Sequence, residues 1–248
     1  MTMKQITDYK EVSPLVLRYF KRGVLTNNFL TPADYRAEIA EGRLFYEKTE
    51  DVLCLYVKRD GFYRLYFYAL KEDAVFPDVS LPQMAEISGA GTKVAEYNGF
   101  YKVMDRIKLE ITREASGEIL SPKKETDAKS IYSLLLESFD PKTACLPTLT
   151  QLQKEVAQGN VLVHKIKEET AGILRFEKSG KYAQIKHLCV SEKFRGRKVG
   201  TALVKEFLTY HPKAFVWTGR DNLAAIGLYR SLGFEKGTTT ACVYRKDN

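Results

Sequence analysis

The spacing of apolar positions divides the chain into a pattern of helices and strands that occurs twice. Over 9–21 the apolar set Val12, Leu15, Leu17, Tyr19 and Phe20, with Pro14 near its start, predicts a first helix. Thr31 followed by Pro32 reads as an N-cap with proline at the first helical position, opening a short helix that runs to Ala40 and is ended by Gly42. Strand-like runs follow at 44–46, 52–57 and 62–70, the last two joined by the turn Arg59-Asp60-Gly61. The polar stretch 114–124 is the best linker. Beyond it come helices over 128–138 and 149–157, then strands over 160–167, 171–177 and 182–190. A long helix over 199–210 is ended by His211-Pro212, and a strand over 214–217, a helix over 222–231 and a last strand near 240–245 complete the chain.

Short matches make the repetition explicit. Residues 37–42 resemble 154–159 at an offset of 117, and 60–63 resemble 179–182 at an offset of 119, so a two-residue difference falls in the first hairpin. Asn98-Gly99-Phe100 similarly resembles Leu232-Gly233-Phe234. The order predicts an α/β (α+β) chain, a mixed central sheet flanked by helices, built as two similar halves at 1–115 and 122–248.

Composition agrees with two domains of ordinary size: 248 residues, 44% hydrophobic and 12% aromatic. No apolar run approaches a membrane span and the first residues lack the apolar stretch of a signal peptide, so a cytoplasmic protein without membrane partners is expected. Cys54, Cys145, Cys189 and Cys242 are scattered without a C-x-x-C pair, which argues against zinc or a disulfide framework; no metal is expected. Residues 1–115 carry 17 Lys+Arg and 17 Asp+Glu, whereas 116–248 carry 22 and 14, so the whole net charge of +8 lies in the second half. That asymmetry points to an anionic ligand there. Nucleic acid is disfavoured as that ligand, because no basic helix, arginine-rich run or known binding motif accompanies the charge.

The candidate chemistry concentrates in 187–203. The apolar run Leu188, Cys189, Val190 leads into Arg195-Gly196-Arg197-Lys198-Val199-Gly200 and a helical pattern from Thr201. A strand end, a basic glycine-containing turn and free amides at a helix start form a site for phosphate oxygens. A second stretch, Asn222 through Ala225 and Tyr229 to Gly233-Phe234, follows the apolar run 214–217.

Together the two stretches resemble motifs A and B of the GNAT superfamily of acyl-CoA-dependent N-acyltransferases. The family's Q/R-x-x-G-x-G/A signature falls on Arg195, Lys198 and Gly200, and its N-x-x-A-x-x-x-Y with G-F falls on Asn222, Ala225, Tyr229, Gly233 and Phe234. Lys198 departs from the pattern, standing where the family usually has its middle glycine; it costs backbone freedom if the position needs a positive φ, and adds a cation beside the pyrophosphate. In the first half 71–78 is an acidic loop with a proline, neither motif is present, and 88–91 is a lone glycine loop. The first half thus resembles a degenerate acyltransferase fold that has kept its sheet and lost its cofactor site.

What the resemblance implies is acetyl transfer from acetyl-CoA to a primary amine of a small molecule, amino acid or peptide, with the second half catalytic and a homodimer left open. It places the cofactor on Leu188, Cys189, Val190, the segment Arg195, Gly196, Arg197, Lys198, Val199, Gly200 and Thr201, and on Asn222 and Ala225. Tyr229, two helical turns after Asn222, is the candidate proton donor to the departing sulfur. His187 is a candidate base, with Glu177 and Glu137 as alternatives, while Lys186 stands where some members carry a carboxylate. His164 and His211 read as structural, and the loops 140–150 and 71–82 as shaping the amine pocket. The competing reading is a CoA-binding regulatory or assembly module without turnover.

Overall fold

A computed structural model describes residues 3–89, 91–113 and 127–247, so the linker expected at 114–124 lies outside the described residues. In chain order the elements are β1 (Lys4–Gln5), α1 (Val12–Tyr19), β2 (Leu25–Thr26), α2 (Pro32–Ala40), β3 (Leu44–Lys48), β4 (Val52–Arg59), β5 (Phe62–Ala69), β6 (Gln83–Ile87), α3 (Gly91–Tyr97) and β7 (Tyr101–Thr112). They continue as α4 (Ala128–Ser138), α5 (Leu149–Ala157), β8 (Val161–Ile166), β9 (Glu169–Ser179), β10 (Tyr182–Val190), α6 (Val199–Tyr210), β11 (Lys213–Gly219), α7 (Leu223–Ser231) and β12 (Glu235–Lys246).

Two compact units result: 1–105 with 240–248, and 106–239. This partition differs from the 1–115 and 122–248 division because strand pairing, rather than the linker, decides where two segments go. Residues 106–112 of β7 pair with β11 in the second unit, and 242–246 of β12 pair with β6 in the first.

In the first unit the strands run β1-β3-β4-β5-β6-β12, antiparallel except for the parallel β5–β6 pair. β4 and β5 read as nearly continuous apolar runs because both faces are covered. Cys54, Tyr56, Leu65 and Phe67 pack with Val94 and Ala95 of α3, while Leu53, Leu55, Tyr66 and Tyr68 pack with Val12 and Tyr19 of α1. In the second unit the order is β7-β11-β10-β9-β8, again antiparallel except for the parallel β10–β11 pair. Its sheet is covered by α6 and α7 on one face, and by α4 and α5 on the other.

The repetition extends to details. Thr31 with Asp34, and Thr148 with Gln151, form capping boxes at the starts of α2 and α5. Phe20 and Phe139 follow the ends of α1 and α4, each edge-on to a ring of the strand below: Tyr68 at 6.4 Å and His187 at 5.0 Å. Glu38 of α2 and Glu155 of α5 each hold an arginine, Glu38 pairing with Arg59 at 2.8 Å and Glu155 accepting from Arg175 Nη2 at 2.6 Å.

The halves differ where the sequence predicts they should. Between β10 and β11 stands α6, whereas residues 70–82 between β5 and β6 form no helix. Several elements went unpredicted, the two-residue strands β1 and β2 among them. The glycine loop at 88–91 is in fact the approach to α3, a two-turn helix, and β6 and β7 were not anticipated.

Candidate functional site

The site in the second unit is built on β10. Opposite β9 its register shifts at Lys186: Ile185 faces Phe176, yet His187 faces Arg175. The extra residue is a β-bulge, and it swaps which side chains reach which face. After the bulge Leu188 and Val190 lie with the α6–α7 core, while Cys189 lies with α4 and α5. Pairing with the parallel neighbour β11 covers only Ala183–Ile185 against Ala214–Val216, although both strands run on. The strands therefore part beyond Ile185. Because the Ser191 amide donates across to Ala171 of β9, the alternation of a strand turns the amides and carbonyls of Leu188 and Val190 away from β9, into the opening wedge. Among the described residues no strand pairs with β10 there.

The basic turn stands above this wedge. Gly196 and Lys198 both have positive φ, 77° and 59°. Lys198 is the N-cap of α6 in the left-handed region (ψ 17°), without a side-chain cap. The backbone cost anticipated for a lysine here is therefore incurred, about 1–2 kcal/mol. The first amide satisfied within α6 is that of Ala202, bonded to Lys198 O at 2.9 Å; those of Val199, Gly200 and Thr201 precede it and have no helical acceptor. Phe194 organises the cations, with Lys193 Nζ 5.0 Å and the Arg197 guanidinium 5.5 Å from its ring centroid. Arg195 stays exposed, held only weakly by Glu192 at 3.9 Å.

Two glycines allow the close approach. A Cβ on Gly200 would stand 3.1 Å from Leu228, 3.7 Å from Val190 and 3.9 Å from Leu188. Gly200 is thus where the start of α6, the end of β10 and α7 meet. A Cβ on Gly172 of β9 would stand 2.8 Å from the Cys189 carbonyl oxygen and 2.9 Å from Val199, so the seating of α6 on the sheet depends on its absence. Gly172 was not identified from sequence, although an isolated glycine inside an apolar strand is a signal of close approach.

The structure divides the remaining candidates. Asn222 is exposed and caps α7, its Oδ1 accepting the Ala225 amide at 3.1 Å. Tyr229 is 3% exposed in the α6–α7 core, 5.2 Å from the Phe234 ring, with no hydrogen bond to its hydroxyl among the described residues. Burial pushes that phenol above its ordinary pKa, keeping it protonated. His187 lies on the other face of β10, so the two catalytic candidates are separated by the sheet.

His187 is 5% exposed. Arg175 Nη1 donates to its Nδ1 at 3.2 Å, and Arg175 is gripped by both carboxylate oxygens of Glu155. Burial first, then the charges of Arg175, Lys186 and Arg106, hold the imidazole well below its ordinary pKa. A neutral ring whose Nδ1 accepts from arginine carries its proton on Nε2. Its lone pair is already used, which counts against the base role expected for His187. The alternatives are no better placed, as Glu177 is 3.4 Å from Lys186 Nζ and Glu137 faces solvent. Burial pushes the Cys189 thiol up to about 12, which keeps it protonated. Arg175 and Glu155 escaped the sequence reading because the pair joins residues twenty apart on two elements.

No group of His, Cys, Asp and Glu suited to a metal ion occurs among the described residues, and no described helix is long and apolar enough to cross a membrane.

A parted parallel pair, a basic turn and a helix start thus meet at one strand end. Residues 128–234 match the Acetyltransferase (GNAT) family. Over 59 residues the chain is 39% identical to an uncharacterized N-acetyltransferase of Methanocaldococcus jannaschii, a match covering 22% of this chain and 26% of that protein. The fold is similar to that of a GCN5-related N-acetyltransferase from Sphaerobacter thermophilus, with TM-score 0.59, 12% identity and coverage of 99% of this chain and 95% of that one. It is also similar to a tandem GNAT protein from the clavulanic acid biosynthesis pathway, with TM-score 0.58, 11% identity and coverage of 99% and 98%. The family match lies in the second unit, and the fold of the whole chain is similar to that of GNAT proteins.

Proposed function

We propose that the second unit transfers an acetyl group from acetyl-CoA to a primary amine of a small molecule, amino acid or peptide. The observation that carries this reading is the wedge at Leu188–Val190 opening beneath the basic turn. The residues fit the cofactor. The amides of Val199, Gly200 and Thr201, with Arg195, Arg197 and Lys198, suit its phosphates, which bring roughly four negative charges. The free backbone groups of Leu188 and Val190 suit the amides of pantetheine.

Acetyl-CoA supplies the acetyl group as an activated thioester. The chain's own part is to hold, orient and move a proton. Backbone groups at the end of β10 would polarise the thioester carbonyl. Tyr229, kept protonated by burial, would give a proton to the departing sulfur and regain one from solvent. His187 acts as a neutral Nε2–H donor set by Arg175 and Glu155, a positioning role, and the amine loses its proton to solvent. A CoA-binding module without turnover is the second reading, favoured because neither His187 nor Glu177 nor Glu137 is placed as a base among the described residues. Thiol release measured over a panel of amines separates the two. Turnover with any amine supports transfer, and saturable CoA binding with no release over the whole panel supports the module.

A further inference from the structure

The first unit has its own parted parallel strands, and they are filled. β5 and β6 pair only at Tyr63↔Gln83 and Arg64↔Met84, as β10 and β11 pair only at their start. Beyond Arg64 the place of β6 along β5 is taken by β2, with Leu25 opposite Ala69 and Thr26 opposite Tyr68. Between β2 and the end of the β5–β6 pairing sits Asn27, 7% exposed. Its Oδ1 accepts the Phe67 amide at 2.8 Å, while its Nδ2 donates to Leu65 O at 3.0 Å and to Glu86 O at 3.2 Å. One side-chain amide thus joins both strands. Thr26 Oγ1 adds a bond to Phe67 O at 2.5 Å. From above, Gly91 at the start of α3 closes over the segment, where a Cβ would stand 3.6 Å from Thr26 O and 3.0 Å from Ile87.

We propose that this wedge is a slot for a ligand amide whose resident ligand is the chain's own segment Leu25–Asn27, and that this closes the first unit to pantetheine. Leu65 and Phe67 lie just past the end of the β5–β6 pairing, as Leu188 and Val190 lie past the end of the β10–β11 pairing. The backbone groups of the first pair are spent on Asn27, and no strand among the described residues pairs with those of the second on that side. The connecting segment explains the difference. Residues 20–31 join α1 to α2, and the corresponding 139–148 joining α4 to α5 is two residues shorter. Leu146 of the shorter connection packs with α4 and α5 instead of entering a wedge. The longer one dips between its strands. Filling the slot also relieves a cost, since without Asn27 a buried amide and two carbonyls would lack partners.

The proposal goes beyond the proposed transfer, and borrows from it only the comparison with β10. Amide hydrogen exchange on the ligand-free protein, repeated with CoA, tests it. The Phe67 amide is expected to exchange at least about a hundredfold more slowly than those of Leu188 and Val190, and to be unchanged by CoA. Exchange of Phe67 as fast as Val190, or protection of Phe67 only when CoA is added, overturns it. The outcome at Leu188 and Val190 on adding CoA speaks separately to the transfer reading, so the two ideas fail independently. Asn27→Ala provides a second check: it is expected to lower the unfolding midpoint of the first unit and speed Phe67 exchange at least about tenfold. Unchanged stability and exchange in that variant also overturn the proposal.

Discussion

Replacing Gly172 with alanine adds one methyl group to a strand, where alanine would ordinarily be the better residue. The change should relieve the chain entropy of glycine, worth roughly 0.4–1 kcal/mol in favour of folding. Against that, the new carbon would lie 2.8 Å from the Cys189 carbonyl oxygen, 2.9 Å from Val199 Cγ1 and 3.3 Å from Leu203 Cδ1. The first contact is with backbone, and the other two with fully buried side chains near the start of α6. None is the loose end of a flexible side chain, so relief requires α6 to lift from β9. Overpacking of this kind costs about 1–3 kcal/mol, and three contacts below ordinary separation place Gly172→Ala near the upper end. The expected net loss is about 2 kcal/mol, read as a lower urea midpoint with an unchanged slope. Lifting α6 also moves the amides of Val199, Gly200 and Thr201 relative to Leu188 and Val190, so calorimetry should show CoA bound about tenfold more weakly. A variant as stable as the parent and binding CoA equally well would refute this account of how α6 is seated.

Other substitutions probe single terms. Lys198→Gly removes left-handed strain of about 1–2 kcal/mol and regains roughly 0.4–1 kcal/mol of unfolded-chain entropy, so urea unfolding should show a gain of about 0.5–1 kcal/mol while calorimetry shows weaker CoA binding. Tyr229→Phe keeps the buried ring and removes the hydroxyl; kcat and kcat/KM should fall together by about a hundredfold with CoA affinity unchanged, and an unchanged kcat under chemistry-limited conditions returns Tyr229 to core packing. His187 and His211 both have folded pKa values below the ordinary histidine value, His211 at about 4. Protons then bind the unfolded chain first, so stability is full above about pH 6.5 and is lost as pH falls toward those values. Urea midpoints between pH 7.5 and 5 should show this, and His211→Phe, which suits the rings of Phe176 and Phe207, should flatten the curve.

The sequence made legible what depends on local patterns. α2, α4, α5, α6 and α7 carry either a capping residue or a clear apolar face, and their boundaries fall within a residue or so of the expected ones. The basic turn became informative once it was read together with the stretch from Asn222 to Phe234, since a short glycine motif alone matches many sequences. What escaped depends on contacts between elements. α3 is too short to show a period, and in β7 the alternation of Tyr101, Val103, Ile107, Leu109 and Ile111 is interrupted at Asp105. The exchange of segments at 106–112 and 242–246 is a fact of pairing that no local signal records. For the site, His187 lies on β10 itself and Tyr229 on α7, in the core over one face of that sheet, yet the bulge at Lys186 decides on which face His187 lies. A shift of one residue reverses the face of everything beyond it. Arg175 takes the lone pair that made His187 attractive as a base, and only the folded chain brings the two together.

The central claim is that one parted strand pair, under one basic turn, holds acetyl-CoA. Calorimetric titration with CoA, and with a pantetheine analogue lacking the nucleotide, tests it on the parent protein and on Arg195→Ala combined with Arg197→Ala. The account predicts one CoA per chain, and a loss in the double variant of at least about tenfold for CoA with little change for the analogue. Two equivalent sites per chain, or equal losses for both ligands, would contradict it.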